Sequence, residues 1–377
     1  MAVGFEGSKG ILYSYNQERK GDDIMALGIE GSKELLTEKA SLTKPNENFQ
    51  KATLMTANKK MSWTDFFSTI QNIPLNMSVS AFSNNQCSLG CRHCYLRKRN
   101  MQIKSLPTEK ELSSVSNKLQ AVDFAIVGME PLETWNRTRN VLEMVQAPRK
   151  AIITNGINLT KDIAVYLAKN NILTDFSIGE KKNYPASLKA AKMLNENNVK
   201  ATASCILVKN GVDPFQTIND ISNLNLPMVF FTRCTLEGKS DSDSLLIKLI
   251  EDLQTKTLQT KVLIKVDFLS PNLLHVIWKK YFSNLEFSDL ITDLDEGFLI
   301  RQLAPNLFLG AYPFPGDFIN RVRMDADGIL TTCYHMQLPV NERLKVSEDL
   351  RFQSDKWLAI PEIFKYYENY GKNYFKK

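Results

Sequence analysis

The stretch MSVSAFSNNQCSLGCRHCYLRKR, residues 77–99, sets a short β-type segment directly against a loop that holds three cysteines. MSVSAF (77–82) has the alternation of a strand. The spacing that follows is Cys87-x3-Cys91-x2-Cys94. Soft sulfur donors this close together suit a metal centre. The polar run CSLGCRHCYLRKR is unsuited to a protein core, which argues against three buried structural cysteines.

Outward from this stretch, apolar β-rich segments alternate with helix-like ones. TEKELSSVSNKLQ (108–120) reads as a helix capped by Thr108, and VDFAIVG (122–128) as a strand. LETWNRTRNVLEMVQ (132–146) reads as a helix, KAIITNG (150–156) as a strand, and LTKDIAVYLAKNN (159–171) as a helix capped by Thr160. LTDFSIG (173–179), ASLKAAKMLNENN (186–198), KATASCILV (200–208), DPFQTINDISNLN (213–225) and PMVFFTRC (227–234) continue the alternation, and a helix over 242–255 closes it. Six strands each followed by a helix predict an α/β fold with a parallel sheet. It curls into an open barrel or winds in two directions. In either case a site forms at the carboxyl ends of the strands, the edge where the cysteine loop lies.

The rest of the chain differs. Residues 1–72 form a polar N-terminal segment in which GFEGSKGIL (4–12) and GIEGSKELL (28–36) resemble each other, too few copies for a solenoid. Residues 73–260 carry the βα repeat, and 261–377 form a C-terminal α+β extension. In the extension KVLIKVDF is a strand candidate and NLLHVIWKKYF an amphipathic helix. RVRMDADGILTTCYHM (321–336) reads as a hairpin around Asp327-Gly328, and 359–370 as an aromatic-rich helix.

Composition narrows the class. With 377 residues, 43% hydrophobic and 23% charged, the chain is that of an ordinary globular protein. It contains no run of about 18 apolar residues, so no membrane span is expected, and its start has no signal-peptide pattern. A cytoplasmic location follows as an expectation. Six cysteines, three clustered and three scattered (Cys205, Cys234, Cys333), do not form a disulfide framework. A net charge of +6 is too low for a dedicated nucleic-acid binder. The basic run Arg92, Arg97, Lys98, Arg99 and Lys104 around the cysteine loop is either a solvated face or a docking patch for an acidic electron donor.

Thiolates in this spacing can hold a [4Fe–4S] cluster while leaving one iron without a protein ligand. A zinc site would want a fourth ligand, which His93 is badly placed to supply between two of the cysteines. On the loop after strand one and the βα repeat over 77–235, the sequence resembles the radical S-adenosylmethionine (SAM) superfamily. The resemblance implies a partial (βα)6 barrel and a [4Fe–4S] cluster on Cys87, Cys91 and Cys94. It further implies that the amine and carboxylate of SAM bind the free iron, and that reductive cleavage gives a 5′-deoxyadenosyl radical that abstracts substrate hydrogen. It places His93 and Tyr95 near the adenine, the former in a slot where the family usually carries an aromatic residue.

Further positions come over from the same resemblance. The family's Gly-Gly-Glu-Pro-like stretch stands here as Gly128-Met129-Glu130-Pro131, where a backbone edge meets the SAM ammonium. Met129 replaces the second glycine, which is tolerable only where φ is negative. Thr154, Asn155 and Ser177, at the ends of strands three and four, match positions that face SAM; helix capping is the competing role. Glu180 follows and is within reach of SAM or substrate. In strand six Thr232 and Cys234 share one face and Arg233 and Thr235 the other. An inward Cys234 would return a hydrogen atom to a substrate radical; an inward Arg233 would clamp a carboxylate. A structural Cys234 competes with both.

The expected partners are a small-molecule or peptide substrate and a flavodoxin- or ferredoxin-type electron donor. Cys205, Cys234 and Cys333 lack the pair spacing of an auxiliary cluster, which favours epimerisation, rearrangement or elimination over oxidative cross-linking. Cys333 and His335 stand alone in the extension, where structural roles compete with pocket-facing ones. A maturase of ribosomally made peptides and a non-catalytic iron–sulfur or zinc protein are the alternatives.

Overall fold

The computed structural model describes residues 77–91, 94, 106–208, 211–224, 226, 229–233, 239–258, 262–266, 278–282, 291–292, 299–311, 321–324 and 330–332. Before residue 77 it describes only the helical positions Met55, Asp65, Ser68 and Thr69. The expectations for the segment 1–72, for His93 and Tyr95, for the basic run, for Cys234, Cys333 and His335, and for a helix over 359–370 lie outside these residues.

Six βα units stand in the order read from the sequence: β1 (Ser78–Ala81), α1 (Glu109–Lys118), β2 (Asp123–Val127), α2 (Trp135–Met144), β3 (Arg149–Thr154), α3 (Lys161–Lys169), β4 (Leu173–Ile178), α4 (Tyr184–Glu196), β5 (Ala201–Leu207), α5 (Pro214–Asn223), β6 (Val229–Arg233) and α6 (Lys239–Gln254). The strand candidate of the extension is β7 (Val262–Val266), parallel to β6. After it come β8 (Ile291–Thr292), β9 (Leu299–Ala304), β10 (Leu307–Ala311), β11 (Arg321–Met324) and β12 (Leu330–Thr332). All belong to one 12-stranded sheet in the order β12-β11-β1-β2-β3-β4-β5-β6-β7-β10-β9-β8.

This order decides between the two curls. A doubly wound sheet reverses direction at a switch point. Here β1 to β7 are adjacent in strict chain order. With right-handed crossovers, that order leaves all helices on one face and bends the sheet toward the other, as in a partial barrel. The extension adds a parallel strand at each edge, β10 beside β7 and β11 beside β1. β11 and β12 pair antiparallel, as the hairpin reading requires.

The two faces differ in chemistry. On the helix face Phe124, Ile152, Phe176, Ala203 and Cys205 are all buried. The Cys205 thiol meets Thr217 of α5, and burial pushes it up to about 12. The opposite face carries Ser80, Ala125, Ile153, Asp175, Ser177, Thr202, Ser204 and Ile206, joined across the ladder by Ser80↔Ala125, Ile153↔Asp175, Asp175↔Thr202 and Ser177↔Ser204. Polar side chains in the middle of a parallel sheet are unusual, because both faces are normally apolar. Asp175 offsets this by accepting from Ser204 and Thr202 on the neighbouring strand.

Local signals explain most element ends. Thr108 forms a capping box with Glu111, and Thr160 accepts from the Ile163 N–H. The helix read over 132–146 is shorter: Pro131–Thr134 is a 3₁₀ turn and the α-helix begins at Trp135. The Glu130 side chain accepts from the Leu132 N–H and fixes that tight turn. The helix read from 186 begins at Tyr184, with Pro185 in its first turn, where a missing N–H costs nothing. The helix read from 242 begins at Lys239. Of the helix expected over 272–282, only Trp278–Phe282 is described, as a π-helical turn.

Phe176 is 0% exposed at the centre of the helix face. Phe176→Ala should cost about 3–5 kcal/mol and lower the urea midpoint of unfolding markedly. An unchanged midpoint would show that this face is not the principal core.

Candidate functional site

The cysteine loop leaves β1 at its carboxyl end and is held at both ends by α2. Arg137 Nε donates to Ser83 O at 2.5 Å, its Nη2 donates to Pro107 O, and Nη1 lies 3.5 Å from Glu109 Oε2. Ser83 precedes the cysteines and Pro107 follows them, so one guanidinium brackets the loop. Thr138 Oγ1 adds a bond to Pro131 O at 2.8 Å and a hydroxyl contact with Ser83 Oγ at 3.0 Å.

Asn84, fully buried, joins the loop to the end of β2. Its Nδ2 donates to Glu130 O and to Thr134 Oγ1, each at 2.7 Å. Its carbonyl accepts from Met129 N–H at 3.2 Å, and its Oδ1 accepts from Gln86 N–H at 2.9 Å. Glu130 N–H donates to Gln86 O at 2.9 Å, and Glu133 accepts from Ser88 N–H. Sequence reading missed Asn84. An asparagine two residues after a strand, just before a turn, is the local signal that could have marked it.

The Gly128-Met129-Glu130-Pro131 stretch shows why the glycine stands first. Gly128 has φ +59°, whereas Met129 is not among the residues with positive φ, so the methionine is tolerated. A Cβ at Gly128 would come within 2.3 Å of Phe82 Cε1, which only glycine avoids. The peptide between Gly128 and Met129 is cis.

Glu130 is 1% exposed, with its carboxylate turned into the protein. It accepts from Thr154 Oγ1 at 2.5 Å, Asn155 N–H at 2.7 Å and Leu132 N–H at 3.0 Å. Burial pushes its carboxyl up, and these donors pull it back down. Thr154 Oγ1 also accepts from Gly156 N–H at 3.0 Å. The Asn155 side chain lies between Ile157 N–H, which donates to Oδ1 at 2.9 Å, and Cys87 Sγ, which is 3.8 Å from Nδ2.

The three cysteines are half-buried. The Cys94 N–H donates to Cys91 O at 3.2 Å, so the loop turns back on itself. Burial first, then Glu130, Glu133 and Cys94, raise the Cys87 thiol, against a weak contact to Leu89 O at 3.9 Å. Burial, then Glu180, Cys87 and Cys94, push Cys91 up to about 11. Each sulfur therefore lies within electrostatic reach of the others. Glu180 is itself paired with Lys182 at 3.1 Å. Among the described residues, no three Cys, His, Asp or Glu side chains converge on a point for a single metal ion. A cubane differs in its demand, taking one thiolate at each of three separate irons.

Ser177 and Ser204 are paired neighbours in the polar row, one step from Asp175. Asp175 accepts from Ser204 Oγ at 2.8 Å and Thr202 Oγ1 at 3.2 Å. This cluster was also missed, although Asp175/Ser177 and Thr202/Ser204 recur at a spacing of two in otherwise apolar strands, which puts them on one face. In β6, register sets Thr232 opposite Ile206 and Arg233 opposite Leu207. Thr232 thus falls in the polar row, and Arg233 in the row of buried Cys205 and Leu207.

No family model and no curated protein matches the chain. Among solved structures it is similar to SuiB of Streptococcus suis bound to S-adenosylmethionine, at 15% identity and TM-score 0.54, over 95% of this chain and 78% of that one. It is also similar to native anSMEcpe with bound AdoMet, at 16% identity and TM-score 0.44, over 79% and 84%. The same protein with AdoMet and the Cp18Cys peptide gives 14% identity and TM-score 0.45, over 80% and 84%. At these identities the likeness is one of fold: the chain has the fold of the S-adenosylmethionine-bound SuiB structure.

In metal-free protein at pH 8, Cys91 should react slowly with iodoacetamide, because its thiol is raised to about 11. The rate should climb about tenfold per pH unit up to that value, following the thiolate fraction. Glu180→Gln removes a nearby negative charge and should speed the reaction at pH 8. Peptide mapping by mass spectrometry reads both, and a pH-independent rate would refute the raised thiol.

Proposed function

We propose that the chain is a radical SAM enzyme, with a [4Fe–4S] cluster held by Cys87, Cys91 and Cys94. The observation that carries the reading is a set of three half-buried cysteines on one loop at the carboxyl edge of β1, folded back by the Cys94 N–H bond to Cys91 O, with burial and nearby carboxylates opposing ionisation of Cys87 and Cys91. Thiols so placed fit a group that brings positive charge and needs one sulfur per iron. A fold shared with an S-adenosylmethionine-bound structure supports the same reading. When bound, the cluster and S-adenosylmethionine together supply a radical that abstracts hydrogen from substrate.

The chain's own residues bind, orient and exclude water. The edge Gly128–Met129–Glu130–Pro131 offers main-chain atoms to the ammonium of S-adenosylmethionine, and the absence of a Cβ at Gly128 keeps that edge against Phe82. Glu130 holds the edge by its bonds to Thr154 and Asn155. Ser177 in the polar row supplies a hydroxyl to the ligand's polar part. His93 and Tyr95 flank the third cysteine and complete the adenine side. The sheet and helices shield the chamber, which a radical reaction requires. A small molecule or a peptide is the substrate, and a flavodoxin- or ferredoxin-type protein the electron donor.

Anaerobic reconstitution with iron and sulfide should give about four irons per chain and, with dithionite, convert S-adenosylmethionine to 5′-deoxyadenosine. Cys87→Ala, Cys91→Ala and Cys94→Ala should each abolish both. Colourless protein with one bound zinc would refute the assignment.

We also propose a hydrogen-returning role for Cys234, two positions after Thr232, which is paired in register with Ile206 of β5. Cys234→Ala should then abolish substrate turnover while the iron content is retained. Undiminished turnover would remove the cysteine from the reaction, and Arg233 in the opposite row would remain the alternative contact.

A further inference from the structure

We infer that Asn155 is a positioning residue for Cys87 that sets the reduction potential of the cluster through an N–H···S hydrogen bond; this rests on the cluster assignment above. Three contacts fix the residue. Its backbone N–H donates to the buried Glu130 carboxylate at 2.7 Å. Its Oδ1 accepts from Ile157 N–H at 2.9 Å, which decides the orientation of the amide. Nδ2 is left to face Cys87 Sγ, 3.8 Å away. The side chain is therefore aimed at the sulfur by bonds that do not depend on a ligand.

The consequence follows from charge. A donor to a ligating sulfur stabilises the electron-rich state, and the reduced cluster carries one more negative charge than the oxidised one. The bond to Asn155 thus strengthens on reduction and raises the potential. Its surroundings act in the opposite sense, because Glu130 and Glu133 place negative charge near Cys87. Asn155 offsets part of that effect at the one cysteine it touches. Its position next to Thr154 in the chain makes the tuning part of the same β3 end that holds Glu130.

The test is an EPR-monitored redox titration of reconstituted wild type, Asn155→Leu and Asn155→Asp. Asn155→Asp keeps the acceptor for Ile157 N–H and replaces the donor by a negatively charged oxygen. The potential should be highest in wild type, lower in Asn155→Leu and lowest in Asn155→Asp. A purely structural role predicts that Asn155→Leu, which loses the donor without adding charge, titrates with wild type, and that result would overturn the inference. Should the variants fail to hold iron, pulsed EPR on reduced wild type labelled with ¹⁵N at asparagine decides the matter. A ¹⁵N hyperfine coupling supports the contact, and its absence overturns it. Wild type that binds no cluster overturns the assignment and the inference together, whereas a normal cluster with unmoved potential overturns the inference alone.

Discussion

The arrangement turns on one buried carboxylate. Glu130 is almost wholly removed from water and accepts bonds from Leu132, Thr154 and Asn155. Burying a carboxylate costs several kcal/mol unless donors meet it. These three do so from the first turn after β2 and from the end of β3. Asn84 adds the end of β1 by binding the Glu130 carbonyl. The carboxyl ends of three strands are thereby fixed relative to one another, and the cysteine loop is suspended from that unit.

A second constraint acts at the scale of the sheet. Strict sequential order of β1 to β7 sends every crossover helix to one side. The apolar row with Phe124, Ile152 and Phe176 packs there and supplies the core. Freed of that duty, the other row carries Asp175, Ser177, Thr202 and Ser204. The polar row and the apolar row are two sides of the same strands, separated by the period of two. The extension continues the sheet at both edges, through β10 and β11.

The loop combines an unfavourable state with a rigid frame. Thiols at Cys87 and Cys91 resist ionisation because burial and nearby carboxylates oppose it. Arg137 and Asn84 nevertheless hold the loop in place from α2 and from its own stem. Such a frame limits the reorganisation that binding a metal group would demand. Asn155 links the loop to the Glu130 unit, its N–H donating to that carboxylate and its Nδ2 facing Cys87 Sγ.

Much was legible in the residues themselves. The βα rhythm, the caps at Thr108 and Thr160, the hairpin of β11 and β12, and the place of the three cysteines after β1 are all local features. Each depends on neighbours a few positions apart, where spacing and turn chemistry act directly. Other features rested on contacts between distant segments. The inward turn of Glu130 requires donors about 25 residues away, and the aim of Asn155 at Cys87 spans 68 positions. Which residues of neighbouring strands share a face depended on register and strand order, which no single strand encodes. The sequence alone therefore determined the loop, its sulfur spacing and the succession of elements; only the tertiary structure decided which polar groups are buried together, because hydrogen-bond partners across a sheet are chosen by pairing rather than by proximity along the chain.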